Sequence, residues 1–278
     1  MTADAQEPTR AGDYVDAGGL RTYYEVSGEG EPLLLLHGGA CTAETFDGQA
    51  PPLAEHYRVY VPERRGHGRT PDVDGPMTYE NMALDTIAFM EAVGIGSAHL
   101  VGWSDGALVG LLVALRRPEL VRKLVLIGQF VEQSGCRPEF TAIMDQLSPQ
   151  HRPPVFEPLE SLYAAASPDG PEHFETVFAK LLRLWRDETG VTLPELAAVG
   201  APTLVLMGDD DALTIEHAGA MQRVLPVSQL AVVPGASHAL PLEKPALVNR
   251  LLLDFLAPEQ TPKTAAPADM LDQPDAVH

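Results

Sequence analysis

The residues best suited to chemistry lie in a short run bounded by glycines. Residues 102–106 read Gly-Trp-Ser-Asp-Gly, between an apolar segment typical of a strand and an apolar segment typical of a helix. A serine on a sharp turn between a strand and a helix exposes its hydroxyl at the edge of a sheet, and flanking glycines let the two elements approach closely. The pattern therefore predicts that Ser104 is a nucleophile.

A serine hydroxyl is a poor nucleophile until a base removes its proton, so a histidine and an orienting carboxylate are expected elsewhere in the chain. Among nine histidines, His238 is the best candidate because it lies in a loop directly after the last apolar segment. Asp209, Asp210 and Asp211 follow the preceding apolar segment, which gives the chain order serine, aspartate, histidine. Glu132, after an earlier segment, is a competing acid.

Negative charge that develops on a substrate oxygen needs fixed donors, and backbone N–H groups in a tight turn supply them. Residues 37–40, His-Gly-Gly-Ala, follow an apolar segment and suit this task. The expected donors are the N–H groups of Gly39, with Ala40 as the alternative, and of Asp105, the residue after the serine. His37 is expected to be a structural histidine. This chemistry requires no metal and no organic cofactor.

These residues need a sheet whose parallel strands end at one edge. Short apolar segments alternate with helix-like stretches, which predicts an α/β fold with a mostly parallel sheet and helices on both faces. An antiparallel strand is expected at residues 21–26, and helices at 79–93 and after Ser104. The predicted parallel strands are residues 32–36, 58–61, 98–102, 123–128, 203–207 and 229–233.

One long segment interrupts the alternation, because a parallel crossover needs only about a dozen residues. Residues 131–198 are therefore predicted to form a helical cap, inserted into a core of residues 13–130 and 199–257. Residues 1–12 and 258–278 lack periodic apolar positions and are predicted to be flexible tails. Several apolar residues of the cap either line the underside of a lid or pack within the insertion: Phe174, Phe178, Leu181, Leu182 and Trp185.

Composition narrows the partners and the location. The formal net charge is −20, so nucleic acid and anionic membrane surfaces are disfavoured, and a neutral or cationic small molecule is the expected partner. No apolar run is long enough to span a bilayer, and the first residues do not resemble a secretory signal, which predicts a cytoplasmic protein. Cys41 and Cys136 form no Cys-x-x-Cys or Cys/His cluster, so both are expected to be free thiols without a metal.

Taken together, residues 20–257 resemble the α/β-hydrolases. The resemblance implies the α/β-hydrolase fold, and it selects Asp211 as the acid, with Asp210 next, because family members commonly carry the acid three residues after the glycine that ends its strand. Glu63 and Thr70 stand where members usually have aspartate and serine. The motifs that carry the resemblance are His37-Gly38-Gly39, the run Glu-Arg-Arg-Gly-His-Gly-Arg-Thr at 63–70, Gly102 to Gly106, Gly208 to Asp211 and Gly235 to His238.

Within this superfamily, residues 102–106 and the run Leu-Glu-Ser-Leu-Tyr at 159–163 resemble the valacyclovir hydrolase group and its bacterial members. In that group the aspartate after the nucleophile recognises the α-amino group of amino-acid esters, and Asp105 matches it here. A carboxylate can bind an ammonium group in this way. The first turn of a helix also favours a carboxylate without any substrate. Trp103 and Asp105 are the predicted substrate-binding residues.

The leading hypothesis is a serine hydrolase that cleaves a small carboxylic ester, a thioester or an activated amide through an acyl-serine intermediate. Cleavage of a carbon–carbon bond, or perhydrolysis, uses the same three residues on this fold and is an alternative. A second alternative is a ligand-binding receptor that has kept the fold without turnover. The sequence does not predict the acyl group, the leaving group or the oligomeric state.

Overall fold

The computed structural model describes residues 11–187 and 189–258 of the 278-residue chain. Of the two predicted tails, only residues 11, 12 and 258 belong to this part, so the expected flexibility of the tails lies outside the described residues. Within these ranges, no helix combines the length and the apolarity that crossing a bilayer requires.

A single eight-stranded sheet forms the centre of the described structure. Its strand order is β1-β2-β4-β3-β5-β6-β7-β8. The β1/β2 and β2/β4 pairs are antiparallel, and all other neighbouring pairs are parallel. The predicted mostly parallel α/β architecture is therefore confirmed. The strands are β1 Ala11–Ala17, β2 Leu20–Ser27, β3 Pro32–Leu36, β4 Arg58–Pro62, β5 Ala98–Trp103, β6 Val121–Ile127, β7 Thr203–Asp210 and β8 Ser228–Ser237.

Helices cover both faces of this sheet. In β3, successive side chains point to opposite faces, so Leu34 and Leu36 join one buried cluster and Leu33 and Leu35 join the other. The first cluster includes residues of α2 and α3, and the second includes residues of α1 and α9. The helices are α1 Ala50–Ala54, α2 Tyr79–Ala92, α3 Asp105–Arg116, α4 Pro138–Gln146, α5 Glu157–Ala166, α6 Phe174–Arg186, α7 Ile215–Val224, α8 Leu240–Glu243 and α9 Pro245–Leu256.

Strand β1 corrects the predicted boundary between the N-terminal tail and the core. The tail was placed at residues 1–12, yet β1 begins at Ala11 and pairs with β2 along its whole length. Its glycine and aspartates have low strand propensity, and it lies at the edge of the sheet, paired only with β2. Gly18 and Gly19, with φ of 59° and 87°, make the two-residue turn between the strands. This Gly-Gly pair was the missed signal.

The three helices α4, α5 and α6 lie between β6 and β7, in the segment predicted as a cap. The side chains of Phe174, Phe178, Leu181 and Leu182 are fully buried and belong to the same apolar cluster as α2 and α3. For these four residues the contacts favour packing rather than a lid surface. Trp185, one turn further along α6, is only half-buried and reaches toward the start of α3.

Candidate active site

Ser104 lies where β5 ends and α3 begins. Its backbone adopts φ 55° and ψ −125°, a conformation that L residues rarely adopt. A Cβ atom on Gly102 would lie 2.2 Å from the carbonyl oxygen of Gly106, and one on Gly106 would lie 2.0 Å from that of Leu36. Only glycine fits at either position, and the close approach holds the half-buried Ser104 in its strained turn.

His238 lies directly after β8, with its ring between Ser104 and Asp211. Its Nε2 atom is 3.0 Å from the Oγ atom of Ser104, and its Nδ1 atom is 2.7 Å from Oδ1 of Asp211. Because a carboxylate only accepts hydrogen bonds, Nδ1–H donates to Asp211 and leaves Nε2 free to accept the Ser104 hydroxyl proton. The structure thus brings the three sequence-predicted residues into one hydrogen-bonded chain.

The carboxylate of Asp211 is fixed by backbone donors. Oδ2 accepts from the N–H of Gly208 at 3.3 Å, and Oδ1 accepts from the N–H of Ala212 at 2.6 Å. The competing acids are used elsewhere. Asp210 is 84% exposed and pairs with Arg137 at 2.9 Å, while Glu132 accepts from the N–H of Leu193 at 2.8 Å.

Trp103 and Phe140 contact His238 from two sides. The indole N–H of Trp103 donates to the carbonyl oxygen of His238 at 2.8 Å, and the Phe140 ring centroid lies 5.9 Å from that of the imidazole. Trp103 is 7% exposed, so its ring belongs to the core. Its predicted contact with substrate stays a prediction, and the bond in the structure positions the histidine loop.

The turn at residues 37–41 is held by a buried cation, Arg64. The guanidinium group donates to the carbonyl oxygens of His37 and Gly38, the latter at 3.0 Å. The backbone N–H of Arg64 donates to Nε2 of His37 at 3.2 Å. Burial lowers the pKa of His37 well below its usual value, so the ring stays neutral and accepts this bond. These contacts agree with the structural role expected of His37, and they orient the turn that contains Gly39 and Ala40.

Cys41 ends the same turn and is also buried. Burial raises the pKa of its thiol to about 11, so the thiol is protonated near neutral pH. Cys41 and Cys136 are both free and buried in the structure.

Asp105 is the first residue of α3, where a backbone N–H has no partner within the helix. Its side chain is 2% exposed and already hydrogen-bonded. Oδ1 accepts from the Tyr79 hydroxyl at 2.8 Å, and the indole N–H of Trp185 lies 2.9 Å and 3.1 Å from the two carboxylate oxygens. Burial and the neighbouring carboxylate raise the pKa of Tyr79 well above its usual value, so the phenol remains a donor.

Three residues of this site were not predicted as site residues from the sequence: Arg64, Tyr79 and Trp185. Arg64 lies in the charged run at 63–70, and nothing in that run indicates that its side chain is buried. Trp185 was assigned to the cap without its contact to Asp105, because that bond joins residues 80 positions apart.

A surface depression of about 340 Å³ opens beside His238 and Asp211. Phe140 and Ile143 of α4 form its apolar wall, and Arg137 and Asp210 lie at its polar side. The depression gives access to the imidazole from solvent.

Known proteins resemble this chain over nearly its full described length. The sequence matches the alpha/beta hydrolase family over residues 33–251. It is 30% identical over 263 residues to serine hydrolase BPHL of Mus musculus, with 87% of this chain and 85% of that protein covered. It is 28% identical to a 2-hydroxy-6-oxo-2,4-heptadienoate hydrolase of Pseudomonas putida, with 89% and 97% covered.

A third relative is RutD of Variovorax paradoxus, a protein assigned as a carbamate hydrolase, at 31% identity with 88% of this chain and 99% of that protein covered. Among solved structures, the meta-cleavage product hydrolase CumD of Pseudomonas fluorescens IP01 superposes with a TM-score of 0.75 at 24% identity, covering 88% and 97% of the two chains. At that identity the match shows the fold alone. The resemblance drawn from the motifs and the fold that it implied are confirmed, and the chain belongs to the α/β hydrolase family.

Proposed function

We propose that this hydrolase cleaves a small carboxylic ester, a thioester or an activated amide through an acyl intermediate on Ser104. The single observation that carries the proposal is the chain of two hydrogen bonds, 3.0 Å from Ser104 to His238 and 2.7 Å from His238 to Asp211. A histidine in this arrangement can take the serine proton while the carboxylate stabilises the imidazolium that forms.

The reaction has two balanced halves. The Oγ atom of Ser104 attacks the carbonyl carbon while His238 takes the hydroxyl proton, and the bond to the leaving group then breaks as His238 returns that proton to it. In the second half, His238 takes a proton from water as the water attacks the acyl carbon. Collapse releases the acid and restores the hydroxyl of Ser104. One ester and one water give one acid and one alcohol.

The oxyanion is stabilised by the backbone N–H groups of Gly39 and Asp105. Gly39 lies in the turn that Arg64 holds through its carbonyl groups, and Asp105 begins α3 directly after the nucleophile. A donor held in advance in this way is worth about 10²–10³ in kcat. The helix N-terminus adds a favourable partial positive charge at the same place.

Small neutral or cationic substrates suit the chain, because a net charge of −20 repels polyanions. The relatives BPHL and RutD, named as a serine hydrolase and assigned as a carbamate hydrolase, support hydrolytic chemistry on small molecules. The cytoplasmic location predicted from the sequence stays a prediction.

Turnover of p-nitrophenyl acetate and butyrate tests the proposal. Wild-type protein is expected to release p-nitrophenol with saturation kinetics, and Ser104→Ala is expected to abolish turnover while the circular dichroism spectrum is unchanged. Ser237→Ala is the matched control, since this hydroxyl bonds Glu243 and takes no part in the hydrogen-bonded chain of Ser104, His238 and Asp211. Wild-type protein without turnover would favour the non-catalytic receptor.

Carbon–carbon cleavage is the second candidate, because the Pseudomonas putida relative is named as a hydrolase of a dienoate. Carbon–carbon cleavage is distinguished from ester hydrolysis by following the loss of absorbance of a 2-hydroxy-6-oxo-dienoate. If kcat/KM for the dienoate exceeds kcat/KM for both p-nitrophenyl esters, carbon–carbon cleavage replaces ester hydrolysis as the proposed function.

A further inference from the structure

The Asp105 carboxylate already accepts hydrogen bonds from two side chains of the protein. Both of its oxygens lie within hydrogen-bond distance of the Trp185 indole N–H, one oxygen also accepts from Tyr79, and the side chain is almost completely buried. A substrate ammonium group would therefore have to displace Trp185.

The negative charge of Asp105 is also compensated within the protein. Arg64 is buried beneath the same turn, and the carboxylate of Asp105 raises the pKa of its guanidinium group while burial lowers it. The positive charge of Arg64 and the negative charge of Asp105 offset each other in a region with little solvent. The charge of Asp105 is accordingly compensated by Arg64 and is not free to attract a cation.

The Trp185 ring also limits the space over the oxyanion turn. A Cβ atom on Gly39 would lie 2.6 Å from Cζ2 of Trp185 and 2.4 Å from Oδ2 of Asp105, so the indole is in direct contact with this glycine. Phe156 stacks on the indole with ring centroids 6.3 Å apart, and Phe178 packs edge-on at 5.8 Å. This aromatic packing holds the Trp185 ring in place against the oxyanion turn.

The two sides of Ser104 therefore differ. The leaving group must lie by His238, which protonates it, and there the depression lined by Phe140 and Ile143 is open. In the proposed reaction the substrate oxygen lies at the oxyanion turn, where the Trp185 ring contacts Gly39 and limits the space beside the acyl group.

From this asymmetry we infer that Trp185 determines acyl specificity: its ring restricts the acyl group to short chains, and its N–H occupies Asp105 and excludes an α-amino group. Larger substituents are accommodated on the leaving-group side, where the depression is open. The inference rests on the proposed ester hydrolysis and names its substrate class, namely esters of short, unsubstituted carboxylic acids with larger apolar alcohols.

The test separates the bulk of the ring from its N–H group. Acyl length is varied with p-nitrophenyl acetate, butyrate and octanoate, and the α-amino group with benzyl propionate against benzyl alaninate. The proteins are the wild type, Trp185→Phe, Trp185→Ala and the control Arg183→Ala, whose side chain is exposed on the same helix. Circular dichroism checks the fold of each variant.

For the wild type and Arg183→Ala, kcat/KM is expected to fall at least about tenfold from butyrate to octanoate, and to be at least about tenfold higher for the propionate than for the alaninate. Trp185→Phe is expected to keep the limit on acyl length. It is expected to raise the ratio of kcat/KM for the alaninate to kcat/KM for the propionate about tenfold, because Asp105 loses a hydrogen-bond donor. Trp185→Ala is expected to remove both preferences. Should it fail to fold, the phenylalanine variant still tests the N–H.

Wild-type protein that prefers the alaninate, or tryptophan variants with the wild-type profile in both series, would overturn the inference while leaving ester hydrolysis intact. A wild type that turns over no ester in either series would overturn the proposed function, and the inference with it.

Discussion

The Nε2 atom of His238 lies 3.0 Å from the Oγ atom of Ser104, although 134 positions separate the two residues in the chain. The sheet explains the contact. Strands β5 and β8 run parallel within one sheet, so the loops after them meet at the same edge. The Trp103 indole then ties the end of β5 to the backbone carbonyl of His238.

Replacing Asp211 with asparagine is expected to lower kcat about 10⁴-fold, because an amide no longer fixes the tautomer of His238 or stabilises the imidazolium. The matched control is Asp210→Asn, which alters the adjacent, exposed carboxylate that pairs with Arg137. Steady-state kinetics with p-nitrophenyl butyrate measure both. A larger loss in Asp210→Asn than in Asp211→Asn would contradict the role of Asp211 as the acid.

Replacing Gly39 with alanine is expected to lower kcat about 10²–10³-fold, as for loss of one oxyanion donor. A new Cβ atom would overlap both the Asp105 carboxylate and the Trp185 ring, so the turn must shift. Gly200→Ala is the control, because a Cβ atom at that position meets nothing within 4 Å. Gly190→Ala is unsuitable because Gly190 has a positive φ. Unchanged kinetics for Gly39→Ala would remove this turn from the mechanism.

Replacing Arg64 with methionine removes the donors to the carbonyl groups of His37 and Gly38 and leaves the Asp105 charge buried without compensation. The free energy of unfolding is expected to fall by about 3–5 kcal/mol. Arg64→Lys, which keeps the charge but not the two-pronged geometry, is expected to lose less stability. Urea titrations of the three proteins provide the comparison, and equal stability of Arg64→Met and wild type would contradict the role of Arg64 as a clamp.

Because His67 is buried, we expect the free energy of unfolding to fall as the solution becomes acidic. Burial lowers its pKa to about 3, so the folded protein binds fewer protons at this ring than the unfolded chain between pH 6.5 and pH 3. Its contribution to stability is complete above pH 6.5 and is lost as the pH falls through this window. His67→Asn keeps a donor for the Arg65 carbonyl and cannot be protonated.

Between pH 6.5 and pH 5 the wild type is expected to lose about 2 kcal/mol more of its unfolding free energy than His67→Asn does. Urea unfolding at the two pH values measures this difference. Parallel losses in both proteins would show that His67 is not the responsible group.

Much of the fold and of the candidate site followed from local sequence. Apolar segments with strand length predicted all six parallel strands within a few residues of their ends, because inner strands covered on both faces, such as β3 and β5, are apolar throughout. The position of Ser104, His238 and Asp211 after such segments was enough to bring them to one edge. Their hydrogen bonds support the proposed roles, which kinetics must test.

Other contacts between distant segments did not follow from the sequence. The bond between Asp105 and Trp185 depends on how α6 packs against the core, and no local pattern specifies that packing. Arg64 was noted only within the motif at 63–70, and its guanidinium group is buried because two carbonyl oxygens accept from it. Strand β1 was missed because its composition is weak and its pairing with β2 stabilises it.

The central claim is that Ser104 is the residue that carries the acyl group, and covalent labelling tests it most directly. Wild-type protein and Ser104→Ala are incubated with a fluorophosphonate and analysed by intact-mass spectrometry and peptide mapping. The expected result is one phosphonyl adduct on Ser104 in the wild type and none in the variant. An unlabelled wild type, or equal labelling of both proteins, would contradict the account.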